Sequence, residues 1–205
     1  MKLNYKRTFL VGLAFLSICA FWQMYDNVIP LILTNTFKLD EAWSGAIMAA
    51  DNVLALFLLP FFGKLSDRCR SPLGRRSPYI LAGTAVAVCL MLILPLIDNA
   101  FYAAPSTGLF IAFVVLLGLL LIAMGSYRSP AVALMPDVTP KPLRSKGNAV
   151  INLMGAAGGV LYLIITSVLY SSKRVSNLPH VNYLPLFAIV AGIMVIGAAA
   201  HHPRA

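Results

Sequence analysis

The 205-residue sequence is 60% hydrophobic and only 11% charged, with a mean hydropathy of +0.83; a water-soluble domain carries about a quarter charged residues, so the composition places this chain in a lipid bilayer. A net charge of +9 and a pI near 9.8 invite a nucleic-acid reading, but the basic residues lie between long apolar runs rather than on a polar surface, which excludes nucleic acid as a partner. Cys19, Cys69 and Cys89 are an odd set with neither metal-ligand spacing nor a disulfide framework. Cys19 and Cys89 read as small apolar fillers and Cys69 as an exposed thiol in a basic loop, and no metal or cofactor is expected.

A helix needs about 20 apolar residues to cross roughly 30 Å of hydrocarbon, and six runs meet that need, at 8–33, 42–62, 79–97, 107–135, 146–169 and 183–200. The first run follows Lys2, Lys6 and Arg7, yet its apolar part exceeds the roughly 7–15 residues of a signal peptide and no small-residue cleavage site follows, so it reads as a retained helix. Twelve of the sixteen Lys and Arg residues fall on one side: Lys2, Lys6, Arg7, Lys64, Arg68, Arg70, Arg75, Arg76, Lys141, Arg144, Lys146 and Arg204. Lys38, Lys173 and Arg174 fall on the other, and Arg128 lies within a span. Because cytoplasmic loops hold the excess of basic residues, both termini are expected in the cytoplasm of a multi-pass protein of the plasma membrane.

Pro30, Pro136, Pro140, Pro142 and Pro179 sit near span ends or in connections, where a missing N–H is tolerated. Pro60 and Pro95 are expected in the last turns of their spans. In the fifth span Asn148, Asn152, Gly155 and Gly159 recur at three- and four-residue intervals, so one face is polar or bare. Gly155 and Gly159 form a small-xxx-small pair for close helix approach, while the asparagines suit either helix packing or a water-filled cavity.

Charges inside the membrane are costly and read first as functional, and three stand out: Asp26, Asp51 and Arg128. At about 1.5 Å per residue, Asp51 lies roughly 18 Å from the span end near Gly63 and Arg128 roughly 12 Å from Pro136, so the two are able to face one another. Asp26 lies about 12 Å from the opposite end near Thr34. Around it, Trp22, Gln23, Tyr25 and Asn27 form a ligand-like cluster, with Trp22 and Asp26 one turn apart and Gln23 and Asn27 likewise. Carboxylate and amide groups hydrogen-bond hydroxyls, and an aromatic ring offers an apolar plate, a combination that suits a polyhydroxylated molecule such as a sugar. The alternatives are that the aromatics are interfacial anchors, that the amides pair with neighbouring helices, and that Asp51 and Arg128 are a structural ion pair.

The connection between the second and third spans runs from Gly63 through Asp67, Arg68, Gly74, Arg75, Arg76 and Pro78 to Tyr79. It resembles the signature cytoplasmic loop of the major facilitator superfamily, and the seven residues from Asp67 to Gly74 are similar to the longer form in glycoside/pentoside/hexuronide transporters and proton-coupled sucrose symporters. The stretch Tyr127–Asn148, with Arg128, Pro136, Asp137, Arg144 and Gly147, resembles the fourth-span end and following loop of the same group. The resemblance implies six transmembrane helices arranged as two inverted three-helix repeats, the amino-terminal half of a transporter that works by alternating access. It implies a gating latch at Gly63, Asp67, Arg68, Gly74, Arg75, Arg76, Asp137 and Arg144; the candidate substrate-binding or proton-coupling residues, read from the spans themselves, are Asp26, Asp51, Arg128, Trp22, Gln23, Tyr25, Asn27, Asn52, Asn148 and Asn152. Loop physics agrees: Gly63 removes a side chain at a close helix crossing, Asp67 accepts hydrogen bonds or an ion pair, and Arg75 and Arg76 bind carboxylates or lipid phosphates.

Asp51 has no acidic companion in its span, unlike the second helix of sodium-coupled relatives in this group, which favours protons. The expected function is proton-coupled symport of a small-molecule substrate, a sugar or glycoside, with residues 1–205 forming one six-helix domain. Such a half has an exposed cavity face and needs a carboxyl-terminal half or a second copy. The alternative is a truncated or regulatory membrane protein that pairs with another transporter half. No enzyme is expected, since the spans hold no metal-binding His pair and no Gly-x-Ser-x-Gly turn.

Overall fold

The computed structural model describes the backbone of residues 5–69, 71 and 76–200, and their side chains apart from 5–7 and 134–138. Among these residues the fold is all helix. Helix α1 (Tyr5–Leu31) continues as a π-helical stretch, Ile32–Thr36; α2 is Glu41–Arg68, α3 Ser77–Ala103, α4 Thr107–Val138 and α5 Arg144–Leu169; a single turn, α6 (Ser172–Val175), precedes α7 (Leu184–Ala200). Five of these elements are long and apolar enough to cross a membrane, and α7 contributes a further 17 apolar residues.

Local chemistry sets the ends. Pro78 in the first turn of α3 occupies a position whose N–H has no helical partner. Ser106 caps α4 by accepting from the Gly108 N–H at 3.3 Å. After Pro30, whose missing N–H loosens α1, the ladder widens: the Phe37 N–H donates to Ile32 O at 3.2 Å and the Leu39 N–H to Leu33 O at 3.1 Å. Lys38 ends this segment in the left-handed region, at φ 56°.

Each expected span coincides with a helix, but the helices outrun the apolar runs. α2 continues through Arg68 and α3 through Ala103, so Pro60 and Pro95 lie well inside their helices rather than in a last turn. The reason is that hydropathy marks the lipid-facing length, whereas the backbone ladder continues into the interface wherever packing supports it.

The packing partners reveal an internal symmetry. α1 packs chiefly on α5 and α7, and α4 chiefly on α3 and α2, with α3 also against α7 and α1 against α4. Exchanging α1, α2 and α3 with α4, α5 and α7 maps this pattern onto itself, the mark of two three-helix repeats of one architecture. α1 is more than half buried along its apolar stretch, whereas α2 buries almost none of it and α5 about a fifth.

Close approach of α1 to its neighbours depends on glycine. A Cβ on Gly158 of α5 would collide with the Leu16 carbonyl oxygen, and one on Gly197 of α7 would lie 2.9 Å from Leu13 O. Gly155 does face α1, at Cys19 Sγ, but Gly159 looks onto Gln23 with ordinary spacing. The tightest point of the α1/α5 crossing is therefore Gly158, outside the small-xxx-small pair expected from the sequence. Between α1 and α4, Ser17 Oγ and the Tyr127 hydroxyl lie 2.7 Å apart, and that hydroxyl also donates to Ala14 O at 3.3 Å. Interhelical hydrogen bonds of this kind hold apolar helices in register where no hydrophobic drive exists between them.

The cysteines differ from expectation. Cys89 is the exposed thiol, on the outward face of α3, while Cys19 and Cys69 are half-buried; Cys69 caps α2, its N–H donating to Ser66 O, which folds it against the helix end.

Candidate functional site: a charged cavity between α1, α2 and α4

Asp51 on α2 and Arg128 on α4 line one cavity, together with Trp22 of α1, Leu54, Ala55, Leu58, Leu59, Leu121 and Gly125. The free space is about 20 Å³, enough for roughly one water molecule. Gly125 makes the cavity narrow by letting α4 approach Leu58, whose Cβ would be 3.2 Å from an added Cβ.

Arg128 stands over the Trp22 ring with its guanidinium carbon 5.4 Å from the centroid, a cation–π contact worth about 0.5–2 kcal/mol. Asp51 is 8% exposed, and its Oδ1 has no hydrogen-bond partner among the described residues. Asp51 and Arg128 interact electrostatically without closing an ion pair. Trp22 Nε1 and the buried Tyr25 hydroxyl also lack partners among the described residues. Tyr25 interacts with the charges of Asp51 and Asp26.

Of the cluster expected on α1, the structure takes only Trp22 to the cavity. Tyr25 is fully buried, its ring packed on Phe21 and Trp22, so it is a core residue and not an interfacial anchor. Gln23, Asp26 and Asn27 are exposed. The two amides pair with each other rather than with another helix: Asn27 Nδ2 donates to Gln23 O at 2.6 Å and lies 3.5 Å from Gln23 Oε1. Asn52, Asn148 and Asn152 are exposed as well. Gln23 borders a second, open groove between α1 and α5, lined by Cys19, Gly155, Ala156, Gly159, Val160 and Leu163.

At the basic end, Arg76 Nη2 lies 3.0 Å from Asp67 Oδ1, tying the start of α3 to the last turn of α2. Gly63 faces α4, where an added Cβ would lie 3.1 Å from Ser129 Oγ, and Ser129 donates to Leu59 O at 2.7 Å. Glycine thus brings the two helices close enough for that bond. Arg68 and Arg144 are exposed at the end of α2 and the start of α5. Gly74, Arg75 and the Asp137 side chain lie outside the described residues.

One polar cluster escaped the sequence reading, because its members are far apart in the chain: Asp98 and Asn99 on α3 meet His180 and Asn182 of the α6–α7 connection. Its one sequence signal is an acidic residue immediately after the apolar run 79–97.

A sequence profile described as Major Facilitator Superfamily matches residues 11–202. Among curated proteins, the chain is 28% identical over 186 residues to sucrose transport protein SUC4 of Arabidopsis thaliana, covering 80% of this chain and 36% of that protein. It is 29% identical over 138 residues to sucrose transport protein SUC3 of the same plant, covering 62% and 23%. To sucrose transport protein SUT3 of Oryza sativa subsp. indica it is 27% identical over 139 residues, covering 62% and 27%. The chain therefore spans only about a third or less of the length of these relatives. No solved structure matches the chain significantly.

Proposed function

This chain belongs to the Major Facilitator Superfamily, and from that premise we propose that it forms the six-helix half of a proton-coupled transporter for a sugar or glycoside, with sucrose the first substrate to test. The observation that carries the reading is the convergence of Asp51, Arg128 and Trp22, from three helices, on one cavity. Charges in a bilayer persist where they pair or border water. Here a carboxylate oxygen and an indole N–H have no partner among the described residues, and these are groups that a sugar hydroxyl satisfies. The names of the relatives, all sucrose transport proteins, supply the substrate class.

The cavity is too small for a sugar in this arrangement. Substrate is therefore held where the face bearing this cavity meets a second half, and reaches it as the two halves rock against one another. That half covers the little-buried faces of α2 and α5, where Trp43, Phe57 and Leu153 are about 70% exposed, and the exposed polar line of Gln23, Asp26 and Asn27. It is a carboxyl-terminal six-helix partner or a second copy of this chain. The Asp67–Arg76 pair is the cytoplasmic latch that opens in the cycle, the termini are cytoplasmic, and the plasma membrane is the site of action. Asp26, open to the route, exchanges the coupling proton, and Arg128 offsets the charge of Asp51.

The test is uptake of radiolabelled sucrose into liposomes holding the chain alone or with a complementing half, with and without an inward proton gradient. The reading expects accumulation that a protonophore abolishes. Asp26→Asn is expected to stop accumulation while sparing sucrose exchange. Accumulation unchanged in Asp26→Asn removes that residue from the coupling role, and silence with every partner favours a non-transporting protein that docks onto another transporter.

A further inference from the structure

At the end of the bundle opposite the Gly63–Tyr79 connection, Asp98 of α3 is fully buried, with the Thr36 hydroxyl and the His180 imidazole beside its carboxylate but neither in close hydrogen-bond geometry. His180 brings Nε2 to 3.5 Å from Asp98 Oδ2 and 2.9 Å from Asn99 Oδ1. Its ring stacks on Tyr102, centroids 4.3 Å apart and planes 10° from parallel, and its side chain is 14% exposed. Water therefore reaches the imidazole while the carboxylate stays sealed.

The proton on Nε2 follows from a chain of donors. The Leu184 backbone N–H donates to Asn182 Oδ1 at 3.0 Å, and that oxygen also accepts from Asn99 Nδ2 at 2.9 Å. With its amide nitrogen committed, Asn99 presents an acceptor to His180, so Nε2 carries a hydrogen. The titrating position is Nδ1. Protonation there turns the ring into an imidazolium beside the Asp98 carboxylate, and its loss leaves a neutral ring.

Other groups face this pair from each packed element. α3 contributes Tyr102. The segment before α7 contributes Tyr183, whose electrostatics couple to Asp98. Tyr170, after α5, donates from its hydroxyl to Asn182 O at 2.8 Å. The π-helical end of α1 contributes the Thr36 hydroxyl beside the Asp98 carboxyl. Burial pushes Tyr170 up to about 12, so this phenol stays neutral and brings no charge to the pair.

We propose that His180 and Asp98 form a proton-binding site that fastens the connection between α5 and α7 to the end of α3 when His180 is protonated and slackens it when the proton leaves. A buried carboxylate without a counter-charge is strongly destabilising, so deprotonating the ring removes the reason for the connection to stay docked. The elements joined are α1 and α3 of the first repeat and the α5–α7 connection of the second. Proton occupancy thus sets how firmly the two repeats are held together at this end. The inference is independent of transport, and its test needs no substrate.

A nitroxide on Asn177→Cys, exposed in the connection, reports docking by its mobility in the full chain in lipid nanodiscs, with Cys19→Ala, Cys69→Ser and Cys89→Ala to remove other thiols. Between pH 8.5 and 5.5 the ratio of immobilised to mobile label is expected to rise, by no more than about tenfold per pH unit for the uptake of a single proton. His180→Gln keeps an N–H toward Asn99 but takes up no proton, and Asp98→Asn removes the counter-charge; each is expected to flatten the titration. A flat titration in the parent overturns the proposal without recourse to any variant. A slope unchanged in whichever of His180→Gln and Asp98→Asn folds overturns it equally.

Discussion

Replacing Gly158 by alanine adds one methyl group where α1 and α5 are in backbone contact. That Cβ would stand 2.9 Å from Leu16 C and 3.0 Å from Leu16 Cα, with the carbonyl oxygen nearer still. Ordinary van der Waals contact begins at about 3.4 Å, and the obstacle is backbone rather than the flexible end of a side chain. Because the carbonyl oxygen is the nearest atom, the helices must separate by more than the carbon contacts alone require, along a crossing that also aligns Gly12 with Met154 and Gly155 with Cys19. Overpacking of this kind costs about 1–3 kcal/mol, against a gain of about 0.5–1 kcal/mol from alanine's helix propensity. The internal control is Gly192→Ala on α7, where an added Cβ meets nothing within 4 Å and only the propensity gain applies. Thermal unfolding followed by tryptophan fluorescence in detergent is expected to show Gly158→Ala lowered by several degrees, at roughly 2–4 °C per kcal/mol for a chain of this size, and Gly192→Ala unchanged or raised. Equal shifts, or the reverse order, would refute the packing argument.

Three further outcomes are expected. Arg128→Gln strips the cavity of its cation and is expected to destabilise the protein more than the Asp51→Asn/Arg128→Gln double variant does, with a coupling of about 0.5–3 kcal/mol in a double-mutant cycle; additive losses would show that the two charges ignore each other. Asp67→Asn opens an ion pair whose acidic partner is 60% exposed, so denaturation should register only about 0–1 kcal/mol, and a loss well beyond that range would mean that this pair carries the fold. Cys89, on the outward face of α3, is expected to react with a lipid-soluble maleimide and resist a charged one, while Cys19 beside the α1/α5 groove takes the charged reagent; mass spectrometry of labelled peptides separates the two.

Much of this architecture was legible because a bilayer simplifies the physics. Every backbone group in hydrocarbon must be satisfied within its own helix, so six apolar runs became helices, and two of the three charges stranded within them line one cavity. Asp51 and Arg128 met as their depths required. Gly63 and Asp67 were legible as well, since a bare helix face and an acid beside several arginines suggest a close crossing and an ion pair. What stayed hidden is rotation about the helix axis. Trp22 and Tyr25 are three residues apart, yet one lines the cavity and the other fills the core. Asp26 keeps its carboxylate on the outer surface, because α1 is enclosed by three neighbours and only a strip of it remains free. The same ambiguity placed the tightest α1/α5 contact at Gly158 rather than at Gly159. Asp98 and His180 were hidden for a different reason: their partnership spans most of three helices in sequence, and nothing local to either residue announces the other.

The central claim is that Asp51 and Arg128 border an aqueous route. Ala55 lines the same cavity one turn along α2 and carries no polar group whose loss confuses the result. In a chain otherwise free of cysteine and paired with a complementing half, Ala55→Cys is expected to react with a membrane-impermeant thiol reagent, more slowly when sucrose is bound. A thiol at that position that stays unreactive from both compartments, at every substrate concentration and proton gradient, would contradict the account.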